Sequence, residues 1–195
     1  MLQRLLSDVT AVPLPLGTPT PLRLATLPLK RRIVEMEFHL PSHRVTAAAL
    51  NSLLADAGLA MPTLGFRPLQ GFLKGFVDLV FEHEGRWFVL DWKSNHLGRS
   101  ARDYGATSMQ AAMAAHGYTL QALLYTVALD RLLRLRLPAY DPALHLGGAV
   151  YLFVRGLRPG WTEPGGAPCG MVLQRAPAAL VRRLSTLLDG HEVSA

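Results

Sequence analysis

The stretch GFLKGFVDLVFEHEGRWFVLDWKSNHLG, residues 71–98, decides how this chain folds. It holds two apolar, β-rich runs, Phe72 to Glu82 and Arg86 to Lys93, separated by His83, Glu84 and Gly85, the spacing of a tight antiparallel hairpin. With Glu84 and Gly85 as the central turn residues, His83 pairs with Arg86, and counting back along both strands brings Asp78 opposite Asp91. A four-residue loop centred at the same place keeps this pairing; a three-residue loop shifts it by one. Opposed residues on one face have Cβ atoms about 4.5–5.5 Å apart, so the two carboxylates converge. Like charges opposed in a sheet are destabilising and call for a cation, and oxygen-only ligands favour Mg²⁺ or Mn²⁺ over zinc. Lys93 follows Asp91 by two residues, which in a strand puts both side chains on one face. A metal that activates water and neutralises phosphate oxygens, beside a lysine that orients the nucleophile or stabilises developing charge, is suited to phosphodiester hydrolysis. The blander reading is an edge or bulge aspartate and a D-x-K that arose by chance. Against it, Asp78 lies among Phe76, Val77, Leu79 and Val80, and Asp91 among Val89, Leu90 and Trp92, where unpaired charge is costly.

Working outward, Lys30 to Leu40 alternates as a strand, with Arg32, Val34, Met36 and Phe38 on one side and Ile33, Glu35, Glu37 and His39 on the other; Pro41 is expected to end it. Thr46 to Ala57 carries Leu50, Leu53 and Leu54 at helical spacing and stops at Gly58. Ser108 to Arg136 is helical in pattern, bent near Gly117 and closed by Pro138, and Gly148 to Arg155 is a short buried strand. Gly156 to Gly170 reads as a loop and Pro177 to Leu188 as an amphipathic helix. At the other end, residues 1–11 suit a short helix, and five prolines between Val12 and Pro28 make a wrapping or linking segment. The expectation is one mixed α/β domain over residues 1–195: an irregular N-terminal segment (1–29), a core (30–156) and a C-terminal loop and helix (157–195).

Composition sets the class. Half of the 195 residues are hydrophobic, only 17% are charged and the mean hydropathy is +0.20, which excludes a disordered chain. A single cysteine, Cys169, excludes a disulfide framework, and no Cys/His cluster has zinc spacing, so a reducing cytoplasm fits. Neither a signal peptide nor a membrane span is legible, because His116, Gln121, Asp130 and Arg131 interrupt the richest apolar stretch. A formal charge of +6 and a pI near 10.0 point weakly toward phosphate-bearing partners.

Residues 71–98, together with MEFHLP (Met36 to Pro41), QAAMAAHGYTLQALLYTVALDRLLRLR (Gln110 to Arg136) and GGAVYLFVRG (Gly147 to Gly156), resemble the RecB-type nuclease family of the PD-(D/E)XK superfamily. The resemblance spans most of the chain and is weakest at both ends. It implies a restriction-endonuclease-like α/β core, a central mixed sheet with flanking helices. It further implies one Mg²⁺ held by Asp78, Asp91 and the backbone carbonyl of Trp92, with Lys93 as the catalytic lysine beside Asp78 and Asp91. Gln121 and Tyr125 match the family's Q-x-x-x-Y motif; at i, i+4 they share a helix face, from which they support the lysine, touch the DNA backbone, or simply pack the helix on the sheet. The implied activity is hydrolysis of single-stranded DNA delivered by a RecB helicase region, with RecC and RecD as partners, in double-strand break repair and recombination. The alternative is a catalytically silent module for DNA binding or subunit docking.

One departure stands out. The family's histidine ligand, on a helix ahead of the first core strand, has no counterpart before Lys30, and His39 and His43 lie in the wrong place; the first core helix is expected to be missing, as in a fragment of a longer chain. Glu35 and Glu37 read as exposed strand residues, and Arg131, Arg134, Arg136, Arg182 and Arg183 as either a phosphate-binding surface or solvated helix faces. Cys169 has no base near it in sequence to make it a nucleophile.

Overall fold

In the computed structural model, which describes residues 2–59 and 61–191, Glu84 and Gly85 both take positive φ, 51° and 80°. This is a two-residue turn whose twist matches that of the strands it joins. It connects β2 (Leu69–His83) to β3 (Arg86–Lys93) in the expected register, from His83↔Arg86 to Leu79↔Leu90. β1 (Arg32–Val45) pairs antiparallel with β2 on its other side. β4 (Leu146–Phe153) runs parallel to β3, and β5 (Met171–Gln174) runs antiparallel to β4, giving a mixed sheet in the order β1-β2-β3-β4-β5.

A parallel pair needs a long crossover, and two helices supply it. They are α3 (Ala106–Ala115) and α4 (Tyr118–Arg136), with Gly117 between them at φ 68°. Their apolar faces cover one side of the sheet, where Met109, Met113, Ala122 and Leu129 meet Val77, Val80, Val89, Tyr151 and Phe153. Beside them, α2 (Ala47–Asp56), capped by the Thr46 hydroxyl, and α6 (Ala178–Leu188) enclose Leu40, Val45, Leu53, Leu54, Val181 and Leu184. A single helical turn, α5 (Pro142–His145), precedes β4.

The opposite side of the sheet is covered by the N-terminal part of the chain, whose first helix contributes Val9. After α1 (Leu2–Ala11), the proline-rich segment lies across the sheet and buries Leu14, Leu16, Leu22, Leu24 and Leu27 against Phe81, Phe88, Leu90, Val150 and Leu152. Paired backbone hydrogen bonds between Leu14 and Leu22, 2.7 and 2.9 Å, fold that segment back on itself. The wrapping expectation therefore holds.

Three expectations need correction. Pro41 does not end the first strand: β1 continues to Val45 with Pro41 opposite Phe72. As an edge strand, β1 tolerates a residue without an N–H so long as that position faces away from β2. The simple alternation over residues 32–39 also fails, because Glu35 at φ 52° breaks it: Val34 is exposed while Met36 and Phe38 pack inward. Finally, β5 was not expected; its four residues are too few to show a period. The outer ends of the expected 1–29 and 157–195 segments, Met1 and residues 192–195, lie outside the described residues.

Phe88 is fully buried and its ring stacks on Phe81 at 5.2 Å, between the sheet and the wrapping segment. Phe88→Ala is expected to lower unfolding free energy by about 3–5 kcal/mol in urea titrations, and a loss below about 1 kcal/mol would contradict this packing.

Candidate active site

The hairpin ladder stops one pair short of the two aspartates. Beyond Leu79↔Leu90 the strands no longer exchange main-chain hydrogen bonds, and the Asp78 carboxylate accepts the Trp92 N–H at 2.8 Å. The expected Asp78↔Asp91 pair is therefore not part of the ladder; Asp78 is instead held by its carboxylate to the Trp92 main chain where the ladder ends. Trp92 turns its ring to solvent, 37% exposed, whereas Asp91 and Lys93 point under the helix layer and are buried.

There Lys93 Nζ lies 2.6 Å from Asp91 Oδ1 and donates to Gln121 Oε1 at 3.0 Å. The same ammonium sits 3.9 Å from the Tyr118 ring centroid and 5.1 Å from that of Tyr151. Gln121 is fixed at both ends: its oxygen also accepts from the Tyr151 hydroxyl at 3.0 Å, and its Nε2 donates to the Tyr125 hydroxyl at 2.9 Å. The i, i+4 pair on α4 is therefore part of the lysine's support. The structure brings together Asp78, Asp91, Trp92, Lys93, Gln121 and Tyr125.

Burial pushes the Asp91 carboxyl above the ordinary aspartate range; Lys93 pulls it down, the Asp78 charge raises it further and Tyr125 lowers it. The buried carboxylate thus calls for more positive charge than one lysine provides. Formally Asp78, Asp91 and Lys93 sum to one negative charge. Tyr151 and Tyr125 are pushed well above the usual phenol range, mainly by burial and then by the Asp91 charge, so both stay protonated as donors.

Two carboxylates whose charges act on one another, Asp78 and Asp91, suit a hard cation such as Mg²⁺, which takes one or two carboxylates and keeps several waters. Among the described residues no group of three His, Cys, Asp or Glu side chains converges, and α1 carries no histidine. Glu37 is drawn off by Lys74 at 2.8 Å and by His39, and Glu35 is exposed. Cys169 is buried in the main apolar cluster, with its thiol pushed up by burial. Arg131, Arg134 and Arg183 are each bound to a carboxylate, of Asp189, Asp130 and Asp56 respectively, so these arginines serve the helix packing.

Sequence reasoning missed Tyr118 and Tyr151. Tyr151 sits in an otherwise apolar strand, and a phenol buried there needs a hydrogen-bond partner, which was a usable signal. Tyr118 gave none, since its position over Lys93 depends on how α4 starts after Gly117.

Comparison with known proteins agrees with this geometry. The sequence profile of the PD-(D/E)XK nuclease superfamily matches residues 17–190. The chain belongs to that superfamily. It is 46% identical over 142 residues to the RecBCD enzyme subunit RecB of Escherichia coli (strain K12), covering 71% of this chain and 12% of that protein. It is 40% identical over 191 residues to the subunit of the same name from Mycobacterium tuberculosis, covering 86% of this chain and 18% of the relative. A third such subunit, from Mycolicibacterium smegmatis, is 39% identical over 204 residues, covering 91% of this chain and 19% of its own length. The chain thus spans less than a fifth of the relatives it matches. No described helix is long and apolar enough to cross a membrane.

Because Lys93 is the buried counter-charge of Asp91, Lys93→Ala in EDTA at neutral pH is expected to lower stability by about 3–5 kcal/mol. Tyr151→Phe removes one neutral donor and is expected to cost about 0.5–1.5 kcal/mol in the same urea titration. Equal losses would show that the ion pair is not the centre of this network.

Proposed function

We propose that the chain is a metal-dependent nuclease that hydrolyses phosphodiester bonds of DNA. The reading rests above all on Lys93, a buried ammonium 2.6 Å from Asp91 and 3.0 Å from Gln121, in a superfamily whose name is its activity. Asp78, Asp91 and the Trp92 carbonyl would hold one Mg²⁺. Bound there, the ion would supply a Lewis acid that neutralises phosphate oxygens and lowers the pKa of water. Asp91 and Gln121 occupy two of the three Lys93 donors and aim the ammonium; the rings of Tyr118 and Tyr151 keep water from it. So held, Lys93 orients the attacking water or stabilises charge developing on the phosphate.

The relatives are named as RecB subunits of the RecBCD enzyme, so this chain's substrate is read as single-stranded DNA delivered by a RecB helicase region. RecC and RecD would be its partners, and double-strand break repair and recombination in the cytoplasm its process. Residues 1–195 would act as one nuclease domain within such a subunit.

One observation favours a second reading. Among the described residues the site has two carboxylates and no third acidic or histidine group, which suits a catalytically silent module that binds DNA or docks a subunit.

Digestion of labelled single-stranded DNA separates them. The full chain is expected to degrade it in Mg²⁺ and not in EDTA, with Asp91→Ala and Lys93→Ala slower by at least about 10²–10³-fold. If the full chain degrades nothing in Mg²⁺, even when joined to the preceding part of a RecB relative's nuclease region, the silent reading replaces the nuclease one.

A further inference from the structure

Past Lys93 the chain enters a loop that lines a cavity. It has a volume of about 290 Å³ and is bounded by His96, Gly98, Arg99, Tyr104, Arg155 and Arg158. Three arginines and a histidine are among the residues that line it. The helix-face arginines Arg131, Arg134 and Arg183 each have a carboxylate, but none of Arg99, Arg155 and Arg158 forms an ion pair with a described residue.

Two of the three are nevertheless aimed. Arg155 donates its Nε to the Ser94 carbonyl at 2.9 Å, which leaves its terminal nitrogens available. Arg158 donates its Nε to the Arg155 carbonyl at 3.2 Å, and its guanidinium stacks over the Trp161 ring at 4.6 Å. The acidic group beside the loop, Asp103, lies against Gly98 and is held by the Ser100 N–H at 2.7 Å and the Ser100 hydroxyl at 2.8 Å. Gly98 allows that close turn, since a Cβ there would fall 2.2 Å from the Asp103 carboxyl carbon. The floor is held by the Tyr104 hydroxyl, which accepts the Leu97 N–H at 3.2 Å.

The cavity is tied to the lysine site through the chain between them. The Val154 N–H donates to the Lys93 carbonyl at 3.0 Å, and Tyr118, whose ring lies over Lys93, donates its hydroxyl to Asn95 Oδ1 at 3.2 Å. Arginines without acidic partners are free to take an anion, and guanidinium forks match phosphate oxygens in geometry as well as charge. We propose that this arginine cavity binds a phosphate group of the DNA strand other than the one at Lys93. The identity of the anion as DNA rests on the nuclease reading; the phosphate chemistry does not.

The test is binding of the full chain to fluorescent single-stranded DNA in EDTA over a salt series, where no cleavage occurs. Arg99→Gln with Arg158→Gln is expected to weaken binding roughly ten-fold and to lower the log–log salt slope by about 1 to 2. Arg136→Gln with Arg182→Gln removes the same charge from exposed positions outside the cavity and is expected to change binding much less. Equal loss in both double variants, or none in the first, overturns the proposal. Should the first double variant unfold by circular dichroism, Arg99→Gln alone carries the test, because that side chain makes no ion pair. Oligonucleotides with a 5′-phosphate, a 5′-hydroxyl, or a closed circle identify the source. A preference for the 5′-phosphate that the variant loses assigns a strand end; equal binding of all three, weakened alike in the variant, assigns an internal phosphodiester. Digestion in Mg²⁺ is scored separately, so a chain that binds through these arginines but cleaves nothing refutes the nuclease reading alone.

Discussion

The ion pair between Lys93 and Asp91 constrains the rest of this structure. Removing two charges from water is expensive, and their attraction offsets that cost only when the geometry is good and the remaining donors and acceptors are satisfied. The fold meets both conditions with parts from three elements: β3 provides the pair, α4 brings Tyr118 at its start and then Gln121 and Tyr125, and β4 brings Tyr151. The β3–β4 pair runs in parallel with Asp91 in register with Tyr151, so the long crossover through α3 and α4 is what returns the chain to the lysine. Without it the pair would lie on an open sheet face.

That arrangement explains which features could be read from sequence. The hairpin register followed from a two-residue turn, and a turn leaves little freedom; His83↔Arg86 fixes every pair up to Leu79↔Leu90. The i, i+4 spacing of Gln121 and Tyr125 placed them on one face, and α4 turns that face toward Lys93. What escaped notice depended on position in the sheet and not on residue type. Pro41 is compatible with a strand only because β1 is an edge, and edge position is a property of the assembled sheet. Met171 to Gln174 pair with β4 only after the Gly/Pro loop has folded back, as the Cys169 N–H to Trp161 carbonyl bond of 2.9 Å shows. Tyr118 likewise acquires its place over Lys93 from the break at Gly117.

The net charge of +6 was a poor guide while it was only a sum. In the structure two sets of the basic residues differ in kind. Arg131, Arg134 and Arg183 are tied to carboxylates and fasten helices to one another or to themselves. The pairs to Asp56 and Asp189 are partly exposed and contribute little stability each, whereas Asp130 is buried and Arg134 neutralises it. The other kind has cationic groups without acidic partners, gathered where β3 and β4 end. Position relative to carboxylates, not number, decides which arginines remain available to a polyanion.

A site of this composition lowers the stability of the sheet that holds it, and that determines where the compensation lies. Asp78 forfeits a ladder pair, and Asp91 is buried beside a like charge. The flanking positions are correspondingly apolar: Val77, Val80, Val89, Leu90, Leu152 and Phe153 are each no more than 1% exposed. The wrapping segment adds Leu14 and Leu16 from the far side, both fully buried. The polar residues stand out in the sequence because they interrupt runs that must otherwise be hydrophobic to keep the sheet together. The contrast that made Asp78, Asp91 and Lys93 legible is therefore a mechanical requirement: a sheet can carry converging charges only if nearly everything adjoining them is dry and packed.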